Sequence, residues 1–230
     1  MIVYGRNPVR EAIRGPRRVS RAWATKNAAR EPWLQGSGVP LSTSSAEEIE
    51  HLCGSPSHQG VCADVAAFRY ADPARLLSIA EPLIVALDQV QDPQNLGAIC
   101  RTAECAGATA VVLPERRSAE ITPSVCKASA GAVEHLAVAR VRNLADFLGE
   151  AKAAGLWCYG AEPGAEAAYE DVDYGGPVVL VLGSEGRGLR PRVAAACDRL
   201  VSIPLRGRVE SLSVSAAAAV LLYAAAAGRG

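Results

Sequence analysis

The stretch VVLVLGSEGRGLRPR, residues 178–192, decides the architecture of this chain. Five apolar, β-favouring residues in a row, with no polar alternation, read as a strand covered on both faces, the mark of a mostly parallel sheet flanked by helices. In such sheets ligands sit beyond the carboxyl ends of the strands. This strand runs directly into Gly183, Gly186 and Gly188, where glycine lets the backbone approach a ligand closely or take positive φ. The spacing is G-x-x-G-x-G, not the G-x-G-x-x-G of dinucleotide folds, and Glu185 stands where a pyrophosphate would need positive potential. A nucleotide-dependent oxidoreductase is thereby disfavoured. The carboxylate suits a cationic ligand, or a ribose and an amine, and equally suits the first turn of a helix.

Working outward, the same βα rhythm covers everything from residue 83. Strands are expected over 83–87, 109–113, 136–141, 156–160, 178–182 and 200–203, with helices over 95–106, 123–130, 144–154, 191–197 and about 211–227. Upstream, short apolar runs at 2–4, 19–25, 39–43 and 60–66 alternate with helical stretches at 7–14, 28–35 and 45–52, a compact α/β unit. Ser45 and Glu48 have the spacing of a capping box. A polar, proline-punctuated segment separates the two. The expected division is a small domain at 1–70, a linker at 71–81 and a larger domain at 82–230.

Two more strand ends carry unusual residues. In ALDQVQDPQNLGAICRTAECAGA, residues 86–108, a strand ends at Asp88 and a helix begins near Asn95, which is either a helix cap or a site residue. Arg101 lies six positions on, about 120° around the helix from Asn95, so the two can flank one cleft; its bland alternative is an ion pair with Glu104. In SIPLRGRVESLSVSAAAAVLLY, residues 202–223, a strand leads through a turn into a helix capped by Ser211 or Ser213, whose alanines allow very close packing.

The 230 residues carry 24 Lys and Arg against 24 Asp and Glu, so no whole-molecule field draws the chain to nucleic acid. Any basic surface must be local. Residues 1–30 hold eight cations against Glu11 alone, a balance of +7, which reads as an electrostatic footprint or as a solvated helix face. Five acids and no base at 162–173 read as a solvated loop. A 50% hydrophobic and 21% charged composition excludes disorder. The longest nearly apolar run, 214–227, is too short for a bilayer, and the N-terminus lacks a signal-peptide core, so a soluble cytoplasmic protein is expected. Seven cysteines without a C-x-x-C, and three scattered histidines, point to neither a disulfide framework nor a metal site.

Together, DPQNLGAICRTAECAGA, LGSEGRGLR and IPLRGRVESLSVSAAAAVLLY resemble the three motifs of the SpoU (TrmH-type) RNA ribose 2′-O-methyltransferases of the SPOUT superfamily. KASAGAVEHLAVARVRNL and HQGVCADV further resemble the subgroup that methylates a guanosine of 23S rRNA. The resemblance covers nearly the whole chain. It implies a C-terminal domain folded as a trefoil-knotted, mostly parallel sheet, a small ribosomal-protein-like RNA-binding domain before it, a homodimer, and S-adenosylmethionine as cofactor. Gly183, Ile203, Leu205 and Leu212 fall on cofactor-binding positions, and Asn95, Arg101, Glu185 and Ser211 on positions associated with catalysis. Ser213 replaces the usual Asn of SLNVS, losing the amide's paired donor and acceptor. Arg6, Arg10, Arg14, Arg17 and Arg18 in the small domain, with Arg187, Arg206 and Arg208 on the motif loops, are the expected RNA contacts, joined by Arg190 and Arg192. Two alternatives stay open: a non-catalytic RNA-binding or assembly factor, and a methyltransferase acting on a tRNA ribose or on the thiostrepton-site adenosine.

Overall fold

The computed structural model describes residues 1–209 and 211–229, so Glu210 of the third motif, and Gly230, lie outside the described residues. The N-terminal unit runs β1 (Ile2–Tyr4), α1 (Arg6–Arg14), β2 (Val19–Ala24), α2 (Pro32–Gln35), β3 (Leu41–Thr43), α3 (Ala46–Cys53) and β4 (Val61–Val65). Its four strands lie in the order β1-β4-β2-β3, with β4 antiparallel to both neighbours. The helix expected over 28–35 is broken. Glu31 precedes Pro32 and is pushed into an extended conformation (φ −63°, ψ 125°), leaving a 3₁₀ turn at Ala28–Arg30 and then the short α2. At α3 the capping box forms in both directions: Glu48 N donates to Ser45 Oγ over 3.2 Å, and Ser45 N to Glu48 Oε2 over 2.9 Å.

The segment expected as a plain linker is fastened down. Ala71 N donates to Val138 O over 2.8 Å, and the short helix α4 (Pro73–Leu76) follows, capped by Asp72. The larger unit then runs β5 (Leu83–Leu87), α5 (Pro93–Cys105), β6 (Ala110–Pro114), α6 (Pro123–Ala128), β7 (Ala137–Val141), α7 (Leu144–Ala153), β8 (Trp157–Ala161), β9 (Ala167–Ala168), β10 (Val178–Leu182), α8 (Pro191–Ala194), β11 (Arg199–Ser202) and α9 (Val214–Ala227). Seven strands pair in parallel in the order β7-β6-β5-β10-β8-β11-β9.

Every residue of β5 and β10 is buried, as the unbroken apolar runs required. Side chains alternate between faces. Leu83, Val85 and Leu87 pack with Leu96 and Ile99 of α5 and Leu221 and Leu222 of α9, while Ile84, Ala86, Val179 and Val181 pack with Leu144, Phe147 and Leu148 of α7. A strand late in the chain, β10, thus sits between β5 and β8, both laid down earlier, and α9 returns from beyond β8 to lie on α5. That insertion and return is the arrangement the knotted family implied. It also stacks three strand ends, those of β5, β10 and β8, side by side. Burial pushes the thiols of Cys100 and Cys158 up to about 12, so these cysteines are inert packing groups.

The N-terminal unit docks on the segment after α6. Here Arg17 departs from its expected role. Its guanidinium is bound to the Glu134 carboxylate, with Nε donating to Oε2 over 2.8 Å, donates to Ala66 O over 2.9 Å, and lies 5.5 Å from the Phe68 ring centre. With its side chain 8% exposed and that of Glu134 1%, the pair is an internal strut rather than an RNA contact. Nearby, Glu11 takes His135 Nε2 at 3.0 Å, together with Arg10 and Arg14. Arg6 pairs with Glu31 at 3.1 Å, and Arg18 is exposed. Two cations of the +7 footprint, Arg6 and Arg17, are therefore answered by carboxylates outside the stretch, while Glu11, the acid already counted within it, serves both Arg10 and Arg14.

Candidate active site

The three motif loops meet at the start of α9. After β10 the backbone folds on itself, with Gly188 N donating to Ser184 O over 3.0 Å and both Gly186 and Gly188 at positive φ. A Cβ on Gly183 would fall 2.1 Å from the Gly188 carbonyl carbon, so only glycine allows this crossing of backbone. Of the two serines expected as caps for the last helix, Ser213 takes the role, its Oγ accepting from Ala216 N over 3.2 Å. Val214 N, one of the donors that a helix start leaves unpaired, donates to Glu185 Oε1 over 3.3 Å. Glu185 is thereby neither free nor part of its own helix; it stitches the β10 loop to the β11 loop.

Asn95 completes the join. Asp92, not Asn95, caps α5 by accepting from Gln94 N over 3.0 Å. The Asn95 side chain is left to accept from Ser215 Oγ over 3.0 Å, linking the first motif to the third across 120 positions of sequence.

Between these loops lies a cavity of about 320 Å³ whose walls include Gly183, Ile203, Leu205, Ser211 and Leu212. All four residues expected to hold a cofactor, and Ser211, are brought together there. Glu162, at the end of β8, forms part of the opposite wall, and its Oε2 is buried without a hydrogen-bond partner among the described residues. A buried acceptor left unpaired costs about 1–3 kcal/mol and marks a place built for a donor. The acidic run 162–173 had read as solvated loop; instead it opens with this wall residue and contains the edge strand β9.

A second hollow of about 650 Å³ adjoins the first, sharing Ser184, Glu185, Arg187 and Val214 with it and adding Asn95 and Arg117. Here two carboxylates (Asp92 and Glu185), the amides of Gln89, Gln91 and Asn95, and two guanidinium groups face one space, a set suited to ribose hydroxyls and phosphate. Arg101 lines neither hollow. It is exposed on α5 and makes no ion pair, with Glu104 or any other residue, among the described residues. Arg206 and Arg208 are exposed on the loop carrying Leu205. Ser213 lines neither hollow, being engaged as helix cap and 3.2 Å from Ser215 Oγ. Glu162 and Ser215 were not expected at the site. Only Ser215 had a local signal, as the second serine of SVS. Among the described residues no group of three or more His, Cys, Asp or Glu could hold a metal ion, and no helix is long and apolar enough to cross a membrane.

A parallel sheet with a glycine-folded loop, a serine-capped helix and an amide meeting at its carboxyl edge, behind a small N-terminal domain, defines a class. The chain belongs to the SpoU rRNA methylase family, which it matches over residues 82–223, and residues 2–71 match the RNA 2′-O ribose methyltransferase substrate-binding domain. Among particular proteins, it is 38% identical to YacO of Bacillus subtilis strain 168, named as a TrmH-family tRNA/rRNA methyltransferase, over 96% of this chain and 93% of that one. Its fold is similar to that of an AdoMet-bound rRNA methyltransferase from Sinorhizobium meliloti (TM-score 0.81, 26% identity, 97% of this chain and 85% of that one). It is equally close in fold to the SpoU methyltransferase AviRb from Streptomyces viridochromogenes in complex with AdoMet (TM-score 0.82, 24% identity, 99% and 89%).

Proposed function

We propose that this SpoU-family methyltransferase transfers a methyl group from S-adenosylmethionine to a ribose 2′-oxygen, and that its substrate is a guanosine of 23S rRNA. The observation that carries this reading is the convergence of the β8, β10 and β11 loops on one cavity that adjoins the hollow in which the β5 loop brings Asn95 beside Glu185 and Arg187. Bound S-adenosylmethionine would supply an electrophilic methyl group on a sulfonium. The residues present suit it: Ile203, Leu205 and Leu212 offer apolar walls, Gly183 an exposed backbone, and the orphan Glu162 Oε2 an acceptor for an amine or ribose hydroxyl.

A ribose hydroxyl is a poor nucleophile until held and stripped of its proton. Asn95, fixed by Ser215, and Glu185, fixed by the α9 backbone, are rigid enough to orient it. Arg101 would clamp the adjacent phosphate and stabilise the developing alkoxide. The reading includes a homodimer, to which the exposed Tyr223 of α9 and Val209 of the neighbouring loop would contribute apolar surface.

One observation favours a second reading, that of a non-catalytic RNA-binding or assembly factor: Ser213 is spent on capping, and no amide stands in its place. Calorimetry with S-adenosylmethionine separates the two. Ribose methylation mapped site by site on rRNA from cells lacking the protein tests the whole. Loss at one 23S guanosine, restored by the wild-type chain, is expected. Full methylation at every rRNA site, or loss on a tRNA or an adenosine, overturns the substrate.

A further inference from the structure

Beyond the hollow that holds Asn95 lies a concavity of about 950 Å³, at the carboxyl ends of β6 and β7. Five arginines line it: Arg116, Arg117, Arg142, Arg190 and Arg192. We infer that this cleft, together with the hollow it adjoins, is the track for the phosphates of the RNA strand flanking the target ribose. The identity of the polyanion rests on the methyltransferase reading above; the cleft itself rests on its unanswered charge and on its continuity with the candidate active site.

Two of the five guanidiniums are already answered, Arg190 by Asp88 at 2.7 Å and Arg192 by Asp146 at 2.8 Å. Arg116, Arg117 and Arg142 are exposed and make no side-chain hydrogen bond or ion pair among the described residues. Three unanswered forks in one concave space are a phosphate site, since the planar guanidinium matches phosphate oxygens bidentately. Gln89 and Arg117 line both the cleft and the hollow of Asn95, and that hollow shares Glu185 and Arg187 with the innermost cavity. The two residues at the junction, Gln89 (φ 63°) and Arg117 (φ 58°), are both non-glycine residues in the left-handed region, a strain that persists where surrounding structure holds a ligand clamp in place.

In the small domain Arg17 is buried with Glu134, Arg6 pairs with Glu31, and Arg10 and Arg14 share Glu11, while Arg18, Arg21, Lys26 and Arg30 are exposed and make no ion pair among the described residues. None of those four lines the cleft or the hollow it adjoins, so the strand next to the target ribose would be gripped by the larger domain, on the side of β6 and β7.

The test is binding of a labelled single-stranded rRNA fragment by the full chain without cofactor, across a salt series. The variant Arg116→Gln/Arg117→Gln/Arg142→Gln is compared with Arg18→Gln/Arg21→Gln in the small domain. The cleft variant should lose about tenfold or more in affinity at moderate salt, and its log K against log salt slope should flatten by about two, three phosphates at roughly 0.7 each. The small-domain pair should lose less, and the melting temperature and S-adenosylmethionine affinity of both variants should match wild type. An unchanged slope and affinity in a folded cleft variant overturns the inference, as does inorganic pyrophosphate protecting the cleft while RNA binding stays intact. If the wild type binds no S-adenosylmethionine yet the cleft variant still loses RNA, the cleft stands and the catalytic reading falls.

Discussion

Asp88 and Arg190, 102 positions apart, are joined by three contacts: Arg190 N to Asp88 Oδ2 at 2.9 Å, Nε to Oδ1 at 2.8 Å, and the terminal guanidinium nitrogen to Oδ1 at 2.7 Å. The Asp88 side chain is fully buried, and its backbone N–H donates to Leu182 O over 2.7 Å. The end of β5 is thus clasped to the end of β10 and to the residue that starts α8. Every group that the β5 and β10 loops present depends on that clasp.

Removing the arginine leaves the buried carboxylate with one backbone donor. Truncating one partner of a buried ion pair costs about 3–5 kcal/mol, and the surviving N–H places Arg190→Ala toward the lower end. Urea unfolding should show a loss of about 3 kcal/mol, larger than the loss for Arg192→Ala, whose pair with Asp146 is exposed.

Glu162 separates stability from ligand binding. Its Oε2 is buried and unpaired, so Glu162→Ala should leave the unliganded protein as stable as wild type or slightly more so. If the oxygen accepts from S-adenosylmethionine, the same change should weaken that ligand by about 10- to 100-fold, the worth of one hydrogen bond to a charged group. Calorimetry on the variant, beside a thermal melt, reads both.

Arg101→Lys keeps the charge and loses the fork. With Arg101 outside the cavity, affinity for S-adenosylmethionine should not change, whereas single-turnover methylation should slow by about a hundredfold. A rate near wild type would remove Arg101 from the reaction.

Docking of the small domain should weaken in acid. Burial alone would raise the Glu11 pKa, but hydrogen bonds from His135 and Arg10 and the charges of Arg14 and Arg10 outweigh it and hold the carboxyl below its ordinary value. A depressed folded pKa means that the stabilisation is fully present above the unfolded value of about 4.3 and is lost as pH falls through the folded one. Melting temperature followed downward from pH 5 should therefore drop less steeply in Glu11→Gln than in wild type.

Much of this molecule was open to reading from residue order. The strands Leu83–Leu87 and Val178–Leu182 begin and end where the apolar runs do, because a strand buried on both faces tolerates no polar residue within it. The α3 capping box is a contact between residues three apart, so spacing alone specifies it. What escaped were contacts that no local rule constrains. Arg17 belongs to a basic stretch in sequence and to a buried ion pair in space, since Glu134 arrives from the other domain 117 positions later. Glu162 sits in an acidic run yet walls a cavity, because β8 ends beside β10 only after the sheet is assembled. Asn95 had the look of a helix cap, and Asp92, three residues earlier, took that bond first.

Periodicity and turn chemistry by themselves fixed the α/β class and the three strand ends that carry unusual residues, and the resemblance of those three stretches to known motifs pointed to the family. Only the tertiary structure decided which charges are free. Coulomb energy and desolvation depend on distance and burial rather than on order along the chain. Arg17 is consequently spent inside while Arg116, Arg117 and Arg142, unremarkable in sequence, face one open cleft.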